Sequence, residues 1–180
     1  MTGTVGDESR GAEPSAGSFP GGGRMSEHTA ILDWKNGGPD FRAGKYSREH
    51  TWTFDGGVRV PASASPAVVA APWSNPAGVD PEEAFVAAVA SCHLLTFLYV
   101  AYREGFEVEG YRDEASGVMT KNEKGVPWVS RITLRPRIVF GGAKRPSPDE
   151  ERHLHRLAHE QCFLANSIRT EVVVEPAGGE

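Results

Sequence analysis

Apolar and polar residues alternate along several short stretches near the start of the chain, and this alternation predicts strands. Between residues 28 and 64 the extended stretches read AILDW, YSREHTWTF and VRVPASA. Trp52 and Phe54 alternate with polar neighbours, which is the period of a half-buried strand. The Asp-Gly-Gly sequence at 55–57 is a hairpin signal. We therefore expect an N-terminal antiparallel meander.

The second half of the chain contains further segments with the same alternation. Two extended segments are expected, at 107–119 and 128–140. In the second, apolar residues occupy every other position and polar residues the positions between them, so one face of the strand is apolar. Pro136 favours an edge strand or a bulge there, because proline has no N–H to donate to a neighbouring strand. A last strand is predicted at 170–175.

A long apolar segment between these two groups of strands begins with the signals of a helix start. Asp80 is expected as the N-cap, Pro81 as the first helical residue and Glu83 as the capping-box partner. The helix should continue to about Glu104 and stop at Gly105.

This first helix is apolar enough to raise the question of a membrane span. Residues 84–102 carry no formal charge, and that length could cross a bilayer. However, Ser91, His93 and Thr96 lie near its centre, and no basic cluster flanks it. We expect a core helix covered on all sides by protein, with part of the cover supplied by a second subunit.

A second helix is predicted from Ser147 and Glu150, which stand at capping-box spacing. Apolar residues recur along it at spacings of three and four and form one buried stripe. The stripe consists of Leu154, Leu157, Ala158, Cys162 and Ala165. The predicted order is β-β-β-α-β-β-α-β, an α+β fold.

Composition narrows the function classes. The chain has 180 residues and a net charge of −5, with its basic residues scattered, so nucleic-acid binding is not expected. Half of residues 1–24 are Gly, Pro or Ser, which predicts a disordered tail, followed by a single domain at 25–180. The start does not look like an export signal, so a cytoplasmic location is expected.

The chain has two cysteines, Cys92 and Cys162, which are 70 positions apart and are the candidate reactive residues. They form neither a CxxC motif nor a four-ligand zinc pattern. Cys92 lies about three turns beyond the helix start, where the helix dipole has faded, so an activating cation would have to come from elsewhere. The residues alone leave open whether the pair is an inert part of the core or redox-active.

The segments around both cysteines resemble a known family. DPEEAFVAAVASCHLLTFL contains Cys92, and AHEQCFLANSIRTEV contains Cys162. Both are similar to the osmotically inducible protein C and organic hydroperoxide resistance (OsmC/Ohr) family, and the resemblance extends over about 31–176. It implies antiparallel sheets wrapped around two central helices in an intertwined homodimer. It also implies a peroxiredoxin-like peroxidase that reduces organic hydroperoxides in oxidative stress defence, with no bound cofactor and with an external dithiol reductant.

The resemblance also implies roles for individual residues. Cys92 matches the peroxidatic cysteine, Cys162 the resolving cysteine, and Glu82 the carboxylate that holds an active-site arginine. Arg48 and Arg42 both lie where that arginine is expected, and Arg48 is preferred. Such an arginine would favour the thiolate of Cys92 and stabilise the departing alkoxide. Cys162 would then condense with the sulfenic acid on Cys92 to form a disulfide.

Helix geometry limits how these residues can meet. Ten residues of helix rise about 15 Å, so Glu82 and Cys92 cannot touch within one regular helix. Either an arginine spans the gap or a partner subunit contributes Glu82, and the second option predicts an obligate dimer. Apolar neighbours of the thiols would favour an apolar peroxide, and the candidates are Phe85, Leu95 and Phe163.

Two alternatives from other classes remain open. His155, His159 and Cys162 have a spacing that could place three metal ligands on adjoining turns of one helix. The chain could instead be a dimeric module that binds an apolar ligand between its subunits and has inert cysteines.

Overall fold

The computed structural model describes residues 26–176, so the predicted tail at 1–24 lies outside the described residues. This part of the chain forms two helices, eight strands and one short 3-10 turn. The strands are β1 Ala30–Asp33, β2 His50–Phe54, β3 Arg59–Ala62, β4 Glu107–Asp113, β5 Ser116–Lys121, β6 Pro127–Leu134, β7 Pro136–Gly141 and β8 Glu171–Val174. The helices are α1 Pro81–Arg103 and α2 Pro148–Gln161, and the 3-10 turn is Ala165–Ser167. The α+β class is confirmed.

The N-terminal strands form the predicted meander, a three-stranded antiparallel sheet in the order β1-β2-β3. Its hairpin turns at the expected place. The Gly57 amide donates to the Phe54 carbonyl at 2.9 Å, and the Phe54 amide to the Val58 carbonyl at 3.0 Å. Gly57 has a φ of 80°, a conformation that glycine adopts without steric cost.

Helix α1 starts and ends where its capping residues predict. Asp80 accepts a hydrogen bond from the Glu83 amide at 2.8 Å, and the Glu83 side chain accepts one in return from the Asp80 amide. Gly105, with a φ of 75°, follows the last turn. The helix is long and apolar enough to cross a membrane, yet it packs against α2, β4, β5 and β6. It is therefore a core helix, as expected.

The two extended segments of the second half pair with each other, but each divides into two strands. The pairs Asp113–Pro136 and Ser116–Thr133 belong to one continuous antiparallel register, so β4–β5 and β6–β7 form one long interrupted hairpin. At the interruption the Arg135 amide donates to the side chain of Asp113, at 2.6 Å, rather than to a backbone carbonyl. Proline at 136 has no N–H with which to continue the ladder. The observed order is therefore β-β-β-α-β-β-β-β-α-β.

The C-terminal elements close the fold against α1. Helix α2 has the predicted capping box between Ser147 and Glu150, and it ends at Gln161, one residue before Cys162. Strand β8 lies next to β6 and runs parallel to it, so this sheet is mixed rather than purely antiparallel. The buried core lies between the two helices and the long hairpin.

Candidate functional site

The two cysteines meet where α1 and α2 pack together. Cys92 lies midway along α1 and Cys162 directly follows α2, and their sulfur atoms are 2.9 Å apart. Both are free thiols in this structure. A disulfide bond is about 2.05 Å long, so the two sulfurs need to approach by less than 1 Å to form one. The prediction that the pair comes within bonding reach is confirmed.

The two sulfurs differ in burial and in their hydrogen bonds. Cys162 is 1% exposed, and its thiol donates a hydrogen bond to the Cys92 sulfur, which is only partly buried. The Leu164 amide also points at the Cys92 sulfur, at 3.4 Å. Burial, followed by the hydrogen bond to Cys92, raises the pKa of the Cys162 thiol to about 11. Cys162 is therefore held protonated. Its sulfur accepts one hydrogen bond, from the Ala165 amide at 3.5 Å, whereas the Cys92 sulfur accepts two.

Glu82 is not part of this cysteine cluster. It is half-buried in the first turn of α1, ten residues before Cys92 on the same uninterrupted helix. A regular helix rises about 15 Å over that distance. Glu82 instead lines a cavity of about 460 Å³ that also contains Arg169. Arg169, seven residues after Cys162, was not among the predicted arginines.

Arg48 is also remote from the cysteines within one chain. Its Nη1 donates to the carbonyls of Gly44 and Tyr46, at 2.9 and 2.6 Å, and its guanidinium lies over the Tyr46 ring. It lines a separate cavity of about 410 Å³ whose wall includes Pro81, the residue before Glu82. Arg48 therefore lies near the start of α1 rather than near its middle. Arg42, the alternative candidate, is exposed.

A buried histidine pair lies beside the cysteines and was not predicted. His93 follows Cys92 in α1, and its Nε2 is 3.2 Å from Nδ1 of His155 in α2, with the two rings nearly parallel. Burial is the main reason why the pKa of His93 falls to about 3 and that of His155 to about 4. Both rings are therefore neutral at physiological pH.

The position of His155 argues against the metal site considered from the sequence. In the sequence His155 pairs with His159 at helical spacing, whereas in the fold its partner is His93, 62 positions away. Within 26–176 no group of three or more histidine, cysteine, aspartate or glutamate side chains is arranged to hold a metal ion. The proposed ligand set of His155, His159 and Cys162 thus finds no support in the geometry.

Comparison with known proteins shows the family to which this chain is similar. The model of the family described as "OsmC-like protein" matches residues 74–177, a segment that contains both cysteines but not Arg48. The structure of an OsmC-like protein of unknown function from Vibrio cholerae is 52% identical, with a TM-score of 0.81, and the match covers 84% of this chain and 99% of that one.

More distant matches come from one structure and one sequence of Bacillus subtilis. The organic hydroperoxide resistance protein OhrB of Bacillus subtilis has a TM-score of 0.62 at 21% identity, over 84% of this chain and 98% of that one. The uncharacterized protein YmaD of Bacillus subtilis is 28% identical over 101 residues, which are 54% of this chain and 65% of YmaD. This chain therefore matches just under two thirds of that relative's length. With the family model matching more than half of its residues, the chain belongs to the OsmC-like protein family.

Proposed function

We propose that this protein is a thiol-dependent peroxidase that reduces organic hydroperoxides through Cys92 and Cys162. The observation that carries the proposal is the 2.9 Å separation of the two sulfurs, one partly exposed and the other buried. Two relatives in the OsmC-like fold, from Bacillus subtilis and Legionella pneumophila, are described as organic hydroperoxide resistance proteins. Their names support the proposed substrate class.

The proposed cycle has three balanced steps. The thiolate of Cys92 attacks one peroxide oxygen, the O–O bond breaks, and the alkoxide takes up a proton and leaves as an alcohol. The sulfenic acid on Cys92 then reacts with the thiol of Cys162, forming the disulfide and releasing water. An external dithiol reduces the disulfide by exchange and is itself oxidised to a disulfide. No bound cofactor is needed.

The environment of Cys92 suits the first step. Its sulfur is partly exposed, and hydrogen bonds from the Cys162 thiol and from the Leu164 amide hold it in place. Phe163, which is 64% exposed, directly follows Cys162. Its side chain would favour an apolar peroxide.

We further propose that the functional unit is a homodimer. Glu82 and Arg48 lie near the start of α1, whereas Cys92 lies about 15 Å further along the helix. An antiparallel α1 from a second copy would bring the Arg48 and Glu82 of one chain to the Cys92 of the other. Arg48 would then stabilise the departing alkoxide, with Glu82 orienting its guanidinium.

We also propose that the protein acts in the cytoplasm as an antioxidant enzyme. A pair of cysteines that cycles between thiols and disulfide needs a compartment in which dithiol reductants are present, and the cytoplasm is such a compartment. The substrate would be an organic hydroperoxide formed under oxidative stress.

The test is a thiol count after mixing the reduced protein with one equivalent of cumene hydroperoxide. We expect wild type to lose both thiols within seconds. Cys92→Ser should keep its remaining thiol, and Cys162→Ser should form a sulfenic acid that dimedone traps. Unchanged thiols in wild type would contradict the peroxidase proposal and would favour the apolar-ligand binding module with inert cysteines.

A further inference from the structure

The guanidinium of Arg48 rests on an aromatic ring and is anchored along one side. Its central carbon lies 3.7 Å from the centroid of the Tyr46 ring, well inside the range of a cation–π contact. The carbonyls of Gly44 and Tyr46 accept hydrogen bonds from the Nη1 atom of Arg48. Nη1 carries two N–H groups, so these two carbonyls satisfy both of them.

The opposite side of the guanidinium is left open. Among residues 26–176, no acceptor is hydrogen-bonded to Nε or Nη2 of Arg48, and Arg48 forms no ion pair. Nε and Nη2 together form the edge that binds a carboxylate through two parallel hydrogen bonds. The contacts with Tyr46 thus fix the plane of the guanidinium and leave its two-donor edge free.

Tyr46 is itself held in place by two other aromatic side chains. Its ring stacks on Phe41 with centroids 4.4 Å apart and meets Trp34 edge-on at 5.6 Å. The indole N–H of Trp34 donates to the Ser47 carbonyl at 2.8 Å, which ties this cluster to the backbone next to Arg48. The ring beneath Arg48 therefore has little freedom to move away.

We propose that Tyr46 is a positioning residue that holds Arg48 in the orientation required for peroxide reduction. This inference rests on the proposed function, in which Arg48 stabilises the departing alkoxide. A guanidinium that is already oriented does not have to be ordered when the peroxide binds, and the cost of ordering it is removed from the barrier. Tyr46 contacts Arg48 and not the peroxide, so its effect on the rate is transmitted through Arg48.

The test compares four variants by the second-order rate constant for oxidation of the protein thiols by cumene hydroperoxide. Tyr46→Leu removes the ring, and we expect a rate about fivefold lower, equivalent to about 1 kcal/mol. Tyr46→Phe keeps the ring and should stay within about twofold of wild type. Phe54→Leu, an aromatic-to-leucine change at the end of β2, is the matched control and should also stay within twofold. Arg48→Met should lower the rate more than Tyr46→Leu does.

A double variant separates positioning from general destabilisation. In an Arg48→Met background, adding Tyr46→Leu should have no further effect on the rate, because there is no guanidinium left to orient. A further fivefold loss in that background would overturn the proposal, as would a Tyr46→Leu rate equal to wild type. If wild type itself does not react with the peroxide, the proposed peroxidase function is wrong. That outcome is distinguishable from the two outcomes that would overturn only the role of Tyr46.

Discussion

At the scale of single residues, the most informative contrast is between two thiols that are in contact with each other. Cys162 is buried, and its pKa is raised to about 11, so it is almost entirely protonated at neutral pH. Cys92 is partly exposed and accepts a hydrogen bond from it. This asymmetry gives an order of events, in which Cys92 meets the peroxide and Cys162 reacts only after the first oxidation.

The buried pair of His93 and His155 has no role in the proposed chemistry but has a consequence for stability. Neither His93 Nδ1 nor His155 Nε2 has a hydrogen-bond partner within the described residues. Protonating either ring would place a positive charge in an apolar interface between α1 and α2. The pair therefore remains neutral in the folded state under conditions in which an exposed histidine becomes charged.

We predict that acid weakens the fold through this pair. In the unfolded chain both histidines become protonated below about pH 6.5. In the folded state the pKa is about 4 for His155 and about 3 for His93, so both rings stay neutral to a lower pH. The unfolded state then binds more protons, so stability falls as the pH falls, by at most about 1.4 kcal/mol per pH unit for each histidine.

Urea unfolding at pH 7, 6 and 5 measures this effect. Replacing both rings, as His93→Leu with His155→Leu, should make the free energy of unfolding depend less steeply on pH over that range. Equal pH dependence in wild type and the double variant would contradict the prediction.

At the scale of elements, the position of Cys92 depends on how closely β5 packs against α1. Gly117 in β5 faces Val86 in α1, and a Cβ atom built at Gly117 would lie 2.6 Å from a Val86 methyl carbon. A real Cβ cannot approach that closely, so only glycine fits at this point. Val86 lies six residues before Cys92 on the same helix.

We predict that Gly117→Ala destabilises the protein by about 1–3 kcal/mol, because the added methyl group overpacks the β5–α1 contact. The matched control is Gly56→Ala in the β2–β3 turn, where an added Cβ would meet nothing within 4 Å. Adding Val86→Ala to Gly117→Ala should recover part of the loss. Thermal or urea unfolding gives the three values, and equal losses for Gly117→Ala and Gly56→Ala would refute the packing argument.

At the scale of the whole molecule, α1 has an apolar face that the single chain does not cover. Leu95, Leu98 and Tyr102 follow one another at spacings of three and four, and they are 63%, 37% and 73% exposed. A row of large apolar side chains on a central helix is more typical of an interface than of a free surface. It is the face through which a second copy could bring the Arg48 and Cys92 of different chains together.

We predict that Leu95→Glu shifts the protein from dimer to monomer in sedimentation equilibrium and lowers the rate of peroxide-dependent thiol loss. The physical reason is that a carboxylate at this position would have to be buried without a partner in the dimer. Val126→Glu, at an apolar position in the β5–β6 turn that is 54% exposed, serves as the control and should remain dimeric. A Leu95→Glu monomer with full activity would show that each chain is active on its own.

Much of the fold could be predicted because its signals are local. The ends of α1 follow from Asp80 and Gly105, and the start of α2 follows from Ser147, since a cap is a hydrogen bond or a backbone conformation within a few residues. The proximity of Cys92 and Cys162 was predicted from the family resemblance, because the residues alone left the inert alternative open.

The remaining features depend on residues that are distant in the sequence. Pro136 indicated an irregularity in the second extended segment, but the division of both segments into two strands also involves the contact between the Arg135 amide and Asp113, 22 positions apart. Likewise, the i, i+4 spacing of His155 and His159 suggested a metal site. In the fold, α1 packs on α2, and the ring nitrogen of His155 lies next to that of His93 instead.

By itself, the sequence determined where the two helices begin, which segments are extended, and which two sulfurs are available, because these are properties of neighbouring residues. Only the tertiary structure decided that one sulfur is buried and the other partly exposed. It also decided that Arg48 rests on Tyr46, away from Cys92. Burial and the approach of distant groups arise only when the whole chain packs.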